Sequence, residues 1–454
     1  MLKKTLLLLI LLTIPLQVNS QTLSYKDTLE EAVNNSFDLK MSAIDIDISQ
    51  AQLKTARSEW YPTLNLQFNS EHNEDLANGK SSIAYAGNTV ITPYTQYRNM
   101  LYMTLSYNIL DFGITGKKVH IAKQEVEQKK ISHNLQLKDL KLKVLDLYTK
   151  ALQYNNEIII KSQVLSVYEN MFKNKERLFK AGTSDKITIM DEAVKIARAM
   201  NDIENSKLEL QKILQDLSSY TRQKYDINDL VVKNIDEEDE HSDEIIYVNY
   251  SDIIESRAEK NEFNLSFDAY SSLESEYYNI EIDKKKAELS ILKRQLLPAF
   301  RLYAGYSLYG QDPNRYYASV QDVGQRSFIV GISSTYMLFD GFKNRSGREK
   351  TSLEIQKLQL EKEKKLFDLQ KEYEKTYLTY ETYNSELSIK TELLNNVKDK
   401  SNALDRMNKS GLTDQNELLS VKADLLMQEY ELEKNIININ SKLEELKIMA
   451  RQDI

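Results

Sequence analysis

The sequence predicts a mainly α-helical chain with membrane β-structure: long coiled-coil α-helical hairpins plus four strands patterned to cross a bilayer, internally duplicated. Three observations predict this. Of 454 residues only 12 are Gly and 5 are Pro, and apart from Pro15, Gly182 and Gly411 all of them fall in two patches, Pro62–Gly116 and Pro298–Gly347. Inside those patches apolar and polar residues alternate. Landmark residues then recur between the two halves at a fixed separation.

In chain order, residues 1–20 have the form of a secretory signal peptide. Lys3 and Lys4 precede the apolar run Leu6–Leu12, and Val18-Asn19-Ser20 offers a cleavage site before Gln21. The run is too short to span a bilayer; the alternative is a retained N-terminal anchor. No other stretch approaches 18 consecutive apolar residues, so a membrane-embedded part would be built from strands.

The first repeat is expected over 21–225. It opens with Ala32, Asn35 and Leu39 and continues into two period-two segments, at about 63–73 and 97–110. In the first, Leu64, Leu66 and Phe68 alternate with Thr63, Asn65, Gln67 and Asn69. In the second, Leu101, Met103, Leu105, Tyr107 and Ile109 alternate with Tyr102, Thr104, Ser106 and Asn108. Such alternation gives a strand one apolar and one polar face, and about ten residues suit a tilted strand crossing a bilayer. Asn73–Gln96 is expected to be a loop.

Gly and Pro are the strongest breakers of regular structure. Their absence from Lys117–Ala181 and Glu349–Ser410 predicts uninterrupted helices rich in good helix formers. Leu135, Leu142, Leu145 and Leu152 form a stripe for packing helix on helix, which does not say whether the helices surround a solid core or a pore. Gly182 and Gly411 read as helix-ending glycines in left-handed conformation. Ser184-Asp185 and Thr413-Asp414 supply N-cap candidates for the returning helices, and Asp414 with Glu417 resembles a capping box. Each half thus makes a helical hairpin whose tight turn lies far from the strands.

Residues 226–250, containing Asp236–Glu240, read as an exposed acidic linker. The second repeat, 251–454, answers the first. Ala258, Asn261 and Leu265 match Ala32, Asn35 and Leu39, and strands are expected at about 299–310 and 327–338. Asp111 and Asp340 are 229 residues apart, as are Gly182 and Gly411, so Asp to turn Gly is 71 residues in both halves. A helix converts residue count into length, on the order of 100 Å here, which explains why that spacing is kept. Asn35 to Pro62 is 27 residues but Asn261 to Pro298 is 37; the extra ten either lengthen a helix or bulge outside it.

Four strands cannot close a membrane barrel, which needs at least about eight, and open sheet edges are not tolerated in lipid. If these strands lie in a membrane, several chains must pool them. Composition excludes other classes. The 60 basic and 68 acidic residues are interspersed, with no basic stripe for nucleic acid. There is no cysteine, which removes disulfides, thiolate metal sites and a cysteine-linked lipid anchor. His72, His120, His133 and His241 form no ligand spacing. No nucleophile elbow, metal cluster or phosphate loop occurs, so neither an enzyme nor a cofactor is expected. A structural or adhesive coiled-coil envelope protein without a pore would share the helices but has no use for duplicated membrane-patterned strands. A periplasmic adaptor would carry one hairpin and one compact β domain.

The duplicated order of opening motif, Pro-led strands, Asp-Phe-Gly or Asp-Gly-Phe corner and Gly-centred turn resembles the TolC-type outer-membrane efflux proteins over essentially the whole mature chain. The resemblance implies a homotrimer sharing a twelve-stranded β-barrel in outer-membrane lipid, with an α-helical tunnel in the periplasm. It also implies a passive exit duct that works with a periplasmic adaptor and an inner-membrane pump, or with a type I secretion apparatus. By that resemblance Gly182, Thr183, Ser184, Gly411, Leu412 and Thr413 form the periplasmic entrance and adaptor-docking turns. The gate residues of the best-known member are not retained: Asn408, Thr413 and Thr188 stand in their places. Its acidic ring, six residues after the second Gly, is matched by Glu417, which otherwise simply caps its helix. Asp185, Asp191 and Asp414 are weaker acidic candidates.

Overall fold

A computed structural model describes residues 21–72, 80–85, 88–93, 97–183, 185–225, 227, 230–232, 267–312 and 314–450. The leader, most of the linker, Ser184 and the second opening motif (Ala258, Asn261, Leu265) lie outside these residues. The elements, in order, are β1 Gln21–Leu23, α1 Tyr25–Asn35, α2 Phe37–Ser58, β2 Thr63–His72, β3 Lys80–Tyr85, β4 Asn88–Pro93, β5 Tyr97–Leu110, α3 Ile114–Lys180 and α4 Lys186–Thr221. They continue with β6 Leu230–Val232, a 3₁₀ turn Ala269–Ser271, α5 Leu273–Arg294, β7 Ala299–Asp312, α6 Tyr316–Gln321, β8 Gln325–Thr335, α7 Lys343–Lys409 and α8 Gln415–Met449.

The repetition is visible in the lengths. Helices α3 and α7 each have 67 residues, and α2 and α5 each have 22. The extra residues before Pro298 therefore do not lengthen α5, the helix that leads into β7. The helix starts match too: Ser36 Oγ accepts the Leu39 N–H and Ser272 Oγ the Ser275 N–H.

The chain divides into two compact units that cut across the repeats. One holds Ala43–Ile131 and Glu276–Glu363 and contains the main sheet. Its strand order is β2-β5-β7-β8, all antiparallel. The register brings the apolar residues of all four strands into common rows: Phe68–Leu101–Leu308, Leu66–Met103–Tyr306–Phe328, Leu64–Leu105–Ala304–Val330 and Tyr107–Leu302–Ile332. The opposite face carries Gln67, Tyr102, Ser307 and Ser327 in one row and Asn65, Thr104, Gly305 and Ile329 in the next. On that face the Tyr303 ring lies over Gly331, where an added Cβ would sit 2.5 Å from its hydroxyl. Two features were not expected. The stretch 73–96, anticipated as loop, holds the antiparallel pair β3–β4, whose strand-favouring residues include Ile83, Tyr85, Val90 and Ile91. The loop after β7 holds the short helix α6.

At the strand-to-helix corners, the conformation of both repeats is the same although the order of Phe and Gly is reversed. Phe112 and Gly113 have φ of 53° and 80°; Gly341 and Phe342 have 65° and 64°. In each case the preceding Asp holds the helix start: Asp111 accepts the Gly113 and Thr115 N–H groups at 2.9 and 2.6 Å, and Asp340 accepts that of Asn344 at 2.8 Å. Burial alone would raise the Asp111 pKa, but these bonds together with the Thr115 hydroxyl outweigh it and hold the carboxyl below its ordinary value.

The other unit holds residues up to Ser42, Ser132–Ser275 and Lys364 onward. Its described residues are mainly helical and include the parallel pair β1–β6. Its core stripe keeps a seven-residue period. Tyr373, Tyr380, Leu387 and Leu394 of α7 pack with Leu425, Leu432, Ile439 and Leu446 of α8, the spacing of a left-handed coiled coil. In α3, Leu145 and Leu152 are buried as expected, while Leu135 and Leu142 are half-buried. The first opening motif docks here: Ala32 and Leu39 are buried, and the Asn35 amide donates to the Thr221 carbonyl at the end of α4. An ion pair, Lys138–Glu274 at 3.0 Å, is almost fully enclosed, with side chains 8% and 11% exposed.

Candidate functional site: the helix-hairpin turns

The two turns of the helical unit are built alike. The Gly182 N–H donates to Phe179 O and the Thr183 N–H to Leu178 O, both at 2.9 Å; the Gly411 N–H donates to Asn408 O and the Leu412 N–H to Met407 O, also at 2.9 Å. This double reversal of direction is the Schellman arrangement, which satisfies carbonyls left open at a helix end. It requires a left-handed residue, and Gly182 and Gly411 have φ of +75° and +71°. Nothing lies within 4 Å of a Cβ built on either, so backbone conformation rather than crowding calls for glycine.

Each outgoing helix ends on an ion pair one turn long, Glu176–Lys180 at 2.9 Å and Asp405–Lys409 at 2.6 Å. The hydrogen bond from Lys409 keeps the Asp405 pKa low. The sequence reading missed these pairs, although they too recur 229 residues apart.

The returning helices start on aspartates. Asp185 caps α4 and accepts the Thr188 hydroxyl at 2.5 Å and the Thr188 N–H at 2.8 Å, which hold its carboxyl below the ordinary range. Asp414 caps α8 and accepts the Asn416 N–H at 3.3 Å. Four residues before Glu417, the Thr413 hydroxyl donates to its carboxylate at 2.7 Å. In place of the reciprocal bonds anticipated between Asp414 and Glu417, Asp414 accepts from Asn416 and Glu417 from Thr413. The Asn408 amide donates to Thr413 O at 3.3 Å, tying the outgoing helix to this residue. Structure therefore brings Asn408, Thr413 and Glu417 together; Gly182 and Thr183 bond within their own turn, and Ser184 lies outside the described residues. Asp191 is exposed on α4.

Apolar side chains are exposed around these turns. Leu412 is 74% exposed and Ile187 69%, with Phe179, Met190 and Val194 also exposed. Ile187, Met190 and Val194 share one helix face, the spacing of a packing stripe. Among the described residues no group of His, Asp and Glu is placed to hold a metal ion. No described helix is long and apolar enough to cross a membrane.

The same architecture occurs in solved proteins. The chain is similar to CusC, whose structures concern folding and transmembrane channel formation, at 16% identity and TM-score 0.70 over 93% of this chain and 92% of that one. It is similar to the outer membrane protein VceC of Vibrio cholerae at 13% identity and TM-score 0.69, over 94% and 95%. It is similar to the CmeC outer membrane channel of Campylobacter jejuni at 12% identity and TM-score 0.67, over 93% and 85%. No curated protein matches the sequence. A family profile described as outer membrane efflux protein matches residues 28–221 and 278–447, most of both repeats. The chain accordingly belongs to the outer membrane efflux protein family, transport proteins of the outer membrane.

Proposed function

We propose that the chain is the passive exit duct of a tripartite efflux pump or type I secretion system, catalysing nothing itself. Three copies pool their sheets into one twelve-stranded barrel in the outer membrane, and their helical hairpins enclose a tunnel through the periplasm. A single observation carries this reading. The sheet β2-β5-β7-β8 presents one face with four rows of apolar side chains, yet β2 and β8 each have a bare edge. On the edge strands Leu64, Leu66, Phe68, Phe328, Val330 and Ile332 are all more than 60% exposed. Lipid would cover the apolar face, but it cannot hydrogen-bond the unpaired N–H and C=O groups of an edge. Pairing β2 of one copy with β8 of the next removes both defects, and four strands per chain reach a viable barrel with three chains.

In this reading Gly182, Thr183, Ser184, Gly411, Leu412 and Thr413 form the periplasmic entrance, where a periplasmic adaptor linked to an inner-membrane pump docks. Glu417 supplies one carboxylate per chain to a ring about the axis. The test is the stoichiometry of detergent-solubilised protein by native mass measurement, paired with conductance in planar bilayers. Trimers that conduct are expected. A stable monomer, or trimers that never conduct, would contradict the shared barrel.

A further inference from the structure

At one end of the sheet the apolar face stops within a single row. Beyond Phe68–Leu101–Leu308, the same face continues as Ser70–Asn99–Gly310 and then His72–Tyr97–Asp312. Helix α6 lies over this polar end. The Asn99 amide donates to Ser319 Oγ at 2.6 Å, with the two residues 2% and 0% exposed. Gly310 makes room for the helix: a Cβ there would come 2.2 Å from the Ser319 carbonyl oxygen and 2.9 Å from that of Asp322. The Tyr97 ring meets the Tyr316 ring edge-on at 6.1 Å, and His72 packs on Tyr97 at 4.4 Å. On the outside, Tyr316, Tyr317 and Val320 are 47%, 79% and 42% exposed.

The geometry points to α6 as a lipid-facing element that lies in the headgroup layer of the membrane and sets the height of the sheet in it. This rests on the barrel reading. Counting Phe300, which pairs with Leu110 just past the four rows, the apolar positions of β7 run to Leu308 over about 27 Å along the strand, or roughly 20 Å of height at barrel tilt, close to the apolar band of such barrels. The Asn99–Gly310 row is the next one out, so α6 sits where hydrocarbon gives way to headgroups. It packs on β5 and β7, the two central strands, so a neighbouring copy joined at the edge strands does not cover it. It occupies the apolar side of the sheet, so it does not line a lumen. Exposed tyrosines with apolar rings and polar tips suit that layer, and Arg326, exposed at the end of β8 opposite Leu308, adds a cation on the same face.

The chain has one tryptophan, Trp60, which makes a depth measurement practical. In a Trp60→Phe background, full-length Tyr317→Trp, Val320→Trp and the sheet control Phe328→Trp are reconstituted into phosphatidylcholine vesicles with bromines placed high or low on the acyl chains. The fluorescence of the Tyr317→Trp and Val320→Trp variants should be quenched at least twofold more by high bromines than by low ones and be shielded from aqueous iodide. Gly310→Ala, which displaces α6, should abolish that preference. Iodide access without bromine quenching at both α6 positions, with Phe328→Trp quenched, would overturn the inference and leave the barrel standing. So would stronger quenching by low bromines, or a profile unaffected by Gly310→Ala. An unquenched Phe328→Trp would remove the barrel reading itself.

Discussion

The Thr413 hydroxyl donates to the Glu417 carboxylate at 2.7 Å across the start of α8, one residue before the Asp414 cap. This bond orients the carboxylate at the start of its helix. If three such carboxylates surround a narrow entrance, they attract cations as charged rings do in channels. Glu417→Gln should then weaken block by multivalent cations in planar bilayers, whereas Thr413→Val, which leaves the charge, should preserve it. Unchanged block in Glu417→Gln would leave the residue a helix-capping role alone.

Gly182 and Gly411 sit in left-handed conformation with open space around them. Alanine should therefore cost only the backbone term, about 1 kcal/mol at each turn. Asn at either position should cost less than Ala. The check is urea unfolding of the detergent-solubilised protein, and losses of several kcal/mol would mean that the turns are crowded in the assembly.

Asp111 holds the start of α3, and its folded pKa lies below the ordinary carboxylate value. A depressed folded pKa means that its contribution is complete above the ordinary carboxylate range and is lost as pH falls through the folded value. Asp111→Ala should cost about 1 kcal/mol at neutral pH, the usual worth of an N-terminal cap. The gap from the unmodified protein should close as pH drops below the carboxylate range. A gap that is constant with pH would assign the loss to packing.

Leu105 stands in the row Leu64–Leu105–Ala304–Val330, and its neighbour Thr104 faces the other way. Leu105→Arg should cost about 2–4 kcal/mol if it meets mid-bilayer lipid. Thr104→Arg should be tolerated better. Equal loss of folded trimer on heating would overturn the assignment of faces.

The Lys138–Glu274 pair is enclosed on both sides. Lys138→Met strands a buried carboxylate and should cost about 3–5 kcal/mol, most of which Lys138→Met with Glu274→Leu should restore. A double variant no better than the single would place the loss elsewhere.

By itself the sequence determined the long helices, their turns and the faces of the four strands, because these depend on local terms. Gly and Pro break helices where they occur, Asp caps the next helix, and side-chain alternation has the period of a strand. It also determined that the halves repeat, since α3 and α7 turn a residue count into a length. Tertiary structure alone decided which strands meet. The pairing of β5 with β7 joins residues some two hundred positions apart, such as Met103 and Tyr306, and no local preference encodes that choice. It also decided that α6 folds back on Asn99 and Gly310. Those outcomes depend on close packing and on satisfying buried polar groups, which exist only once distant segments are brought together.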